Sequence, residues 1–187
     1  MTKEELLKIY SAYLPYNLQI EFKRNIYPTS VEIQTLDLKN LYSALFPGKP
    51  KSFQIKPILY DLSYLTKEIE RDGEAFMPML KLAKMESDQF EYLDDDENGF
   101  PIIGYDVTDF DMGSMTFANV YRFEYDQESG LFVVNIYDEG GKQEDLIGMD
   151  EVCLSNLLLR EKLLEWHFNI FQLPEDQFIN KATLTNK

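Results

Sequence analysis

The chain has 187 residues, 33 of them acidic and 18 basic, so its formal charge of −15 repels phosphate backbones and argues against direct nucleic-acid binding. A hydrophobic fraction of 44% with 14% aromatic residues excludes a disordered chain, and the length suits one real core. One Cys, Cys153, and one His, His167, exclude an internal disulfide and a Cys/His zinc site, so any metal would need an oxygen-rich set.

The N-terminal MTKEELLKIY is charged and lacks an apolar signal core, and no stretch approaches a membrane span, which places the protein in a bacterial-type cytoplasm with no membrane contact. Thr2 to Glu5 reads as a capping box for a short amphipathic helix that carries Leu6, Ile9, Tyr10 and Tyr13 and stops at Pro15. Leu18, Ile20 and Phe22 alternate with Gln19, Glu21 and Lys23, the pattern of a half-buried strand. Val31 to Leu36 gives a second strand, Asp37 to Phe46 a short helix, and Phe53 to Ile55 a brief strand. Asp61 or Ser63 caps a predicted helix with Leu62, Leu65 and Ile69 inward, closed by Asp72-Gly73, and a further helix is predicted from Pro78 to Met85.

From Glu86 to Phe100 the chain turns acidic, an exposed loop or hairpin tip. Pro101 to Val107 is a predicted strand, and Phe117 to Tyr137 carries the clearest hairpin pattern, with Tyr121, Phe123 and Tyr125 alternating before a Gln-Glu-Ser-Gly turn. Asp150 to Leu173 is predicted as one long helix, with Leu159, Leu163, Trp166, Ile170 and Leu173 on one row and Pro174 as its stop. The expected architecture is α+β: one antiparallel sheet of about five strands, helices on one face, and a long C-terminal helix, in a single domain over 1–187 with an acidic loop or hairpin insertion near 86–100.

Two polar residues fall inside the apolar arc of the long helix. Arg160 and His167 are separated by two turns, about 10.5 Å along one line. Buried, each needs a partner. Either acidic side chains or backbone carbonyls of the fold satisfy them, or they mark a seam open to a protein partner. Asp94, Asp96, Asn98 and Gly99 match the start of a calcium loop, where alternating oxygens converge and Gly permits the sharp turn. The rest of that motif fails, because its last ligand position is Tyr105, with Asp106 one residue late. Asp106, Asp109 and Asp111 form a second acidic cluster that a metal-dependent enzyme could use, with a solvated face as the alternative. No phosphate loop, nucleophile elbow or carboxylate pair with a placed base is present in the sequence, so a catalytic role is the minority expectation and no cofactor is expected beyond a divalent cation.

Three stretches, LPYNLQIEFK at 14–23, IKPILYDLSYLTKEIERDGEAFMPMLKL at 55–82 and LLLREKLLEWHFNIFQL at 157–173, resemble in content and order a family of uncharacterised proteins encoded by phages and prophages of Bacteroides-type gut bacteria. The Lys-Pro-Ile-Leu, Leu-Thr-Lys-Glu-Ile, Glu-x-Phe-x-Pro and Leu-Glu-Trp-His-Phe-Asn elements carry the likeness. It implies no assigned activity and no catalytic residues to transfer. After Phe171 the family continues through an apolar, Gly-containing segment, whereas this chain reads QLPEDQFINKATL. The expectation is a phage or prophage accessory protein that binds a protein partner, with a basic one suited to its charge, through an acidic, Tyr-rich surface. DNA mimicry directed at a nucleic-acid-binding protein is one alternative, and a metal-dependent enzyme the other.

Overall fold

The computed structural model describes residues 2–24, 30–46, 53–110, 116–138, 151–152 and 156–184. In chain order the elements are α1 (Lys3–Tyr13), β1 (Gln19–Arg24), β2 (Ser30–Thr35), α2 (Leu38–Leu45) and β3 (Phe53–Leu59). Then come β4 (Ile69–Arg71), β5 (Glu74–Phe76), α3 (Pro78–Glu86), β6 (Glu91–Asp95), β7 (Pro101–Phe110), β8 (Thr116–Asp126) and β9 (Leu131–Asp138). The chain closes with β10 (Glu151–Val152), α4 (Asn156–Glu165) and β11 (Ile179–Asn180). The class is α+β. Two compact units divide it, Met1–Leu62 with Leu163–Lys187, and Ser63–Lys162.

The first unit is built on a four-stranded sheet in the order β11-β3-β1-β2, antiparallel except for the β11–β3 pair. Period-two alternation puts Leu18, Ile20, Ile55 and Leu59 on one face, where they pack with Ile9, Tyr10 and Tyr13 of α1 and Leu41 of α2. The Thr2 hydroxyl accepts from the Glu5 amide while Glu5 accepts from the Thr2 amide, which fixes the start of α1. Burial pushes both the Tyr10 and Tyr13 hydroxyls well above the ordinary tyrosine value, and each donates to a carbonyl, of Ile55 and Phe168 respectively.

The second unit holds a five-stranded antiparallel sheet, β10-β9-β8-β7-β6, and the β4–β5 hairpin. One face of the large sheet is a stack of rings. Tyr105 lies parallel to Tyr121 with centroids 5.2 Å apart, Phe123 parallel to Phe132 at 5.2 Å, and Phe90 meets Tyr105 and Phe123 edge-on. On the opposite face Arg122 places its guanidinium 4.0 Å from the Tyr137 ring, and the Glu124 carboxylate accepts from the Tyr137 hydroxyl and the Asn135 amide. Gly104 sits where a Cβ would stand 2.5 Å from the Tyr121 carbonyl oxygen, so only glycine lets β7 approach β8 there.

Three sequence expectations are corrected. The strands form separate sheets, because β1, β2 and β3 pair with one another under α1 and α2 and leave the 101–138 strands to make their own sheet. The helix predicted over Asp61 to Gly73 is a short 3-10 turn at Leu62–Tyr64 followed by a hairpin. Asp72-Gly73, read as a C-cap, is its turn, with φ of 54° and 81°, the two left-handed residues that a tight hairpin prefers.

The long C-terminal helix is the third. Residues 151–152 are strand, and α4 ends at Glu165. His167 stands at φ 64°, its amide bonds the Leu164 carbonyl, and the Phe168 amide bonds the Leu163 carbonyl. That pair of bonds is a Schellman motif with His in the place of the usual Gly, and the two apolar residues at the positions it favours for contact, Leu163 and Phe168, are both fully buried. Beyond it His167 and Asn169 exchange backbone bonds with Tyr60, so the expected final turns of helix run beside the end of β3 instead.

Candidate interaction surface

Of the described residues singled out from sequence, Asp96 and Asn98 meet in one turn, while Asp94 and Asp106 stand apart. The Schellman turn takes His167 off the helical line, and its Nε2–H donates to the Tyr16 carbonyl at 2.7 Å with the side chain 7% exposed. Arg160 is half-buried on α4 in the other compact unit, where its charge opposes the burial that raises the Tyr125 hydroxyl. On the acidic hairpin Asp96 accepts from the Phe100 and Asn98 amides at 2.8 Å each. These bonds hold its carboxyl below the usual range. Asp94 bonds the Asp95 amide, and Asn98 is exposed. Asp94 pairs with Ile102, and Asp106 lies four residues further along β7, about 13 Å away at strand spacing. Asp106 is exposed; the Asp109 side chain and Asp111 lie outside the described residues. Among the described residues no group of three or more His, Cys, Asp or Glu is arranged to hold a metal ion.

Between α1 and residues 171–177 lies an open cleft of about 380 Å³ over Ile9 and Leu173, with Glu5, Lys8, Gln172 and Gln177 at its rim. Glu5, its one carboxylate, is already engaged at the helix cap.

The clearest surface feature is on α2. Asp37 caps the helix by accepting from the Asn40 amide at 2.6 Å, and the Asn40 side chain donates to the Thr35 carbonyl. This start fixes the rotation of the helix. Leu41 and Asn40 face the core at 4% and 9% exposure, and Leu38, Tyr42 and Phe46, spaced by four, face outward at 71%, 65% and 54%. The Tyr42 and Phe46 rings touch at 4.8 Å, Lys3 Nζ sits 4.5 Å over Phe46, and Leu7, one turn along α1 from Lys3, is 46% exposed. The row spans about 12 Å and carries lysines, Lys3 and Lys39, at its margin. The sequence showed the four-residue spacing. It gave no sign of which row faced out, since Leu41 and Leu45 offer an equally apolar alternative.

These features describe an α+β chain with an exposed apolar row. No family model, curated protein or solved structure matches it. Among the described residues no helix is long and apolar enough to cross a membrane.

Proposed function

We propose that this chain is a non-catalytic protein-binding module, an accessory protein of phage or prophage type acting in the bacterial cytoplasm, that docks its partner on the outer row of α2. The observation that carries this reading is the exposure of Leu38, Tyr42 and Phe46 along one line of a helix whose Leu41 is buried in the core with Leu45 packed against it. Three large apolar side chains in a row, rimmed by charge, suit an amphipathic helix or apolar strip on the partner, with Tyr42 and Phe46 as anchors. The lysine margin favours acidic residues around that strip. A basic partner, the expectation from net charge alone, would meet the exposed Asp94, Asp95 and Glu97 of the β6–β7 hairpin instead.

The test is affinity capture from host lysate, with and without nuclease, using the wild type and Tyr42→Asp. Because Tyr42 is exposed, Tyr42→Asp is expected to shift folding stability by less than about 0.5 kcal/mol. A protein captured by the wild type after nuclease and lost with Tyr42→Asp supports the reading. Identical capture by both removes the α2 row from it.

A further inference from the structure

The tip of the β6–β7 hairpin carries a reactive pair. Asn98 stands before Gly99, the one Asn-Gly step in the sequence, and every other Asn is followed by Leu, Ile, Val or Lys. The side-chain amide of an Asn can be attacked at Cγ by the backbone nitrogen of the next residue, an approach that a side chain on that residue hinders. Glycine has none. The space a Cβ would take at Gly99 is open, with nothing within 4 Å, and Glu97, Asn98, Gly99 and Phe100 are all exposed.

The fold holds this pair in a defined loop. The Asp96 amide donates to the Phe100 carbonyl at 2.7 Å and the Gly99 amide to the Asp96 carbonyl at 2.9 Å, which closes a short loop with Gly99 at φ 78°. From inside that loop the Asp96 carboxylate accepts from the Asn98 and Phe100 amides at 2.8 Å each. The nitrogen that would attack Asn98 is thus engaged as a donor. The loop must open locally before it is free.

We propose that Asn98 is a site of spontaneous modification, converted through a cyclic imide to aspartate and isoaspartate, and that the Asp96 carboxylate sets its rate by holding the loop closed. Water is the one co-reactant. The Gly99 nitrogen forms a bond to Asn98 Cγ, the Cγ–Nδ2 bond breaks, and the proton displaced from the Gly99 nitrogen passes through solvent to the departing ammonia. Water then opens the imide and the Gly99 nitrogen regains a proton. Attack at Cγ leaves aspartate; attack at the main-chain carbonyl leaves isoaspartate, in which the chain runs on through Cβ and Cγ. Either product adds a negative charge beside Asp94, Asp95 and Glu97, and the second also lengthens the backbone inside a loop whose closing bonds fit its present length.

The test keeps the full chain at neutral pH in water enriched in heavy oxygen and follows uptake of the label at residue 98 by peptide mass spectrometry. The folded wild type is expected to convert, more slowly than the chain in urea and by the same factor that protects the Gly99 amide from hydrogen exchange. Asp96→Ala is expected to convert about tenfold faster than the wild type, the size of one hydrogen bond to a charged group. Asp96→Asn removes the charge but keeps an oxygen that can accept the same amides, and its rate should stay nearer the wild type. Conversion in urea with none in the folded wild type overturns the site. The part given to Asp96 is overturned if Asp96→Ala is no faster than the wild type, or if Asp96→Asn matches it, since charge alone would then account for the change. Near-ultraviolet circular dichroism checks that the ring stack of the sheet survives in each variant. Should Asp96→Ala lose that signal, the wild-type comparison decides: conversion and Gly99 exchange slowed by unlike factors overturn control by the loop.

Discussion

His167 shows how one residue redirects the C-terminal region. A non-glycine side chain at φ 64° costs about 1–3 kcal/mol, and the bond from Nε2–H to the Tyr16 carbonyl offsets part of that cost. His167→Ala loses the bond and keeps the strain, whereas His167→Gly loses the bond and relieves the strain. We predict in urea denaturation that His167→Ala is less stable than His167→Gly by about 1 kcal/mol. The sequence made this residue conspicuous as a lone histidine in an apolar arc, but nothing in its spacing identified a helix end, since that signal is normally Gly or Asn. Asn156 was missed altogether. Its side chain accepts from the Phe132 amide at 2.7 Å and donates to the Phe132 carbonyl at 2.8 Å, standing in for a neighbouring strand. Asn156→Ala leaves two buried backbone groups without this partner, and a loss of about 2–4 kcal/mol is expected in the same assay.

Asp96 carries a pH dependence of its own. The Phe100 amide first, and then the other turn amides, hold its carboxyl below the ordinary value, so its contribution is fully present at neutral pH. It is lost as the pH falls through the ordinary carboxylate range to the lower value in the fold. In an NMR titration Asp96 should protonate below the ordinary aspartate range, and the Phe100 amide resonance should move with it. A midpoint at the ordinary value would remove the assigned bonds. Tyr137 lies at the other extreme. Burial and then the Glu124 charge push its hydroxyl up to about 12, so absorbance titration should find it still protonated after exposed tyrosines have ionised.

Among the elements, periodicity read β1, β2, β3, β7, β8 and β9 and the helices α1, α2 and α3 from local pattern, whereas β6 reads as an acidic loop or hairpin tip, β10 as part of the long helix, and β11 not at all. The misread elements share a cause. Asp-Gly serves a hairpin as readily as it ends a helix, and Leu65 and Ile69 are buried in either arrangement. Likewise Leu159, Leu163, Trp166 and Leu173 are all buried as expected, although the last lies beyond the helix in an irregular, turn-rich segment. Inward-facing spacing therefore survived while the element itself changed. Pairing between distant strands, such as β11 with β3, has no local signature at all. Gly104 is the position where sheet geometry is least forgiving. Gly104→Ala should force β7 from β8 and destabilise by about 1–3 kcal/mol, with Tyr105 and Tyr121 ring resonances reporting the shift.

For the whole molecule, the two compact units have different chain histories. Residues 63–162 form one continuous segment, whereas the other unit joins residues 1–62 to 163–187. Its β3 edge is completed by β11, and its core by Leu173 and Phe178. During synthesis the middle segment can close as soon as it leaves the ribosome, while β1, β2, β3 and α1 wait with Ile20, Leu59 and Tyr13 unsealed until residues 163–187 are made. Residues 1–62 thus emerge before the middle segment and are secured after it, and this interval is when a nascent chain would most need a chaperone.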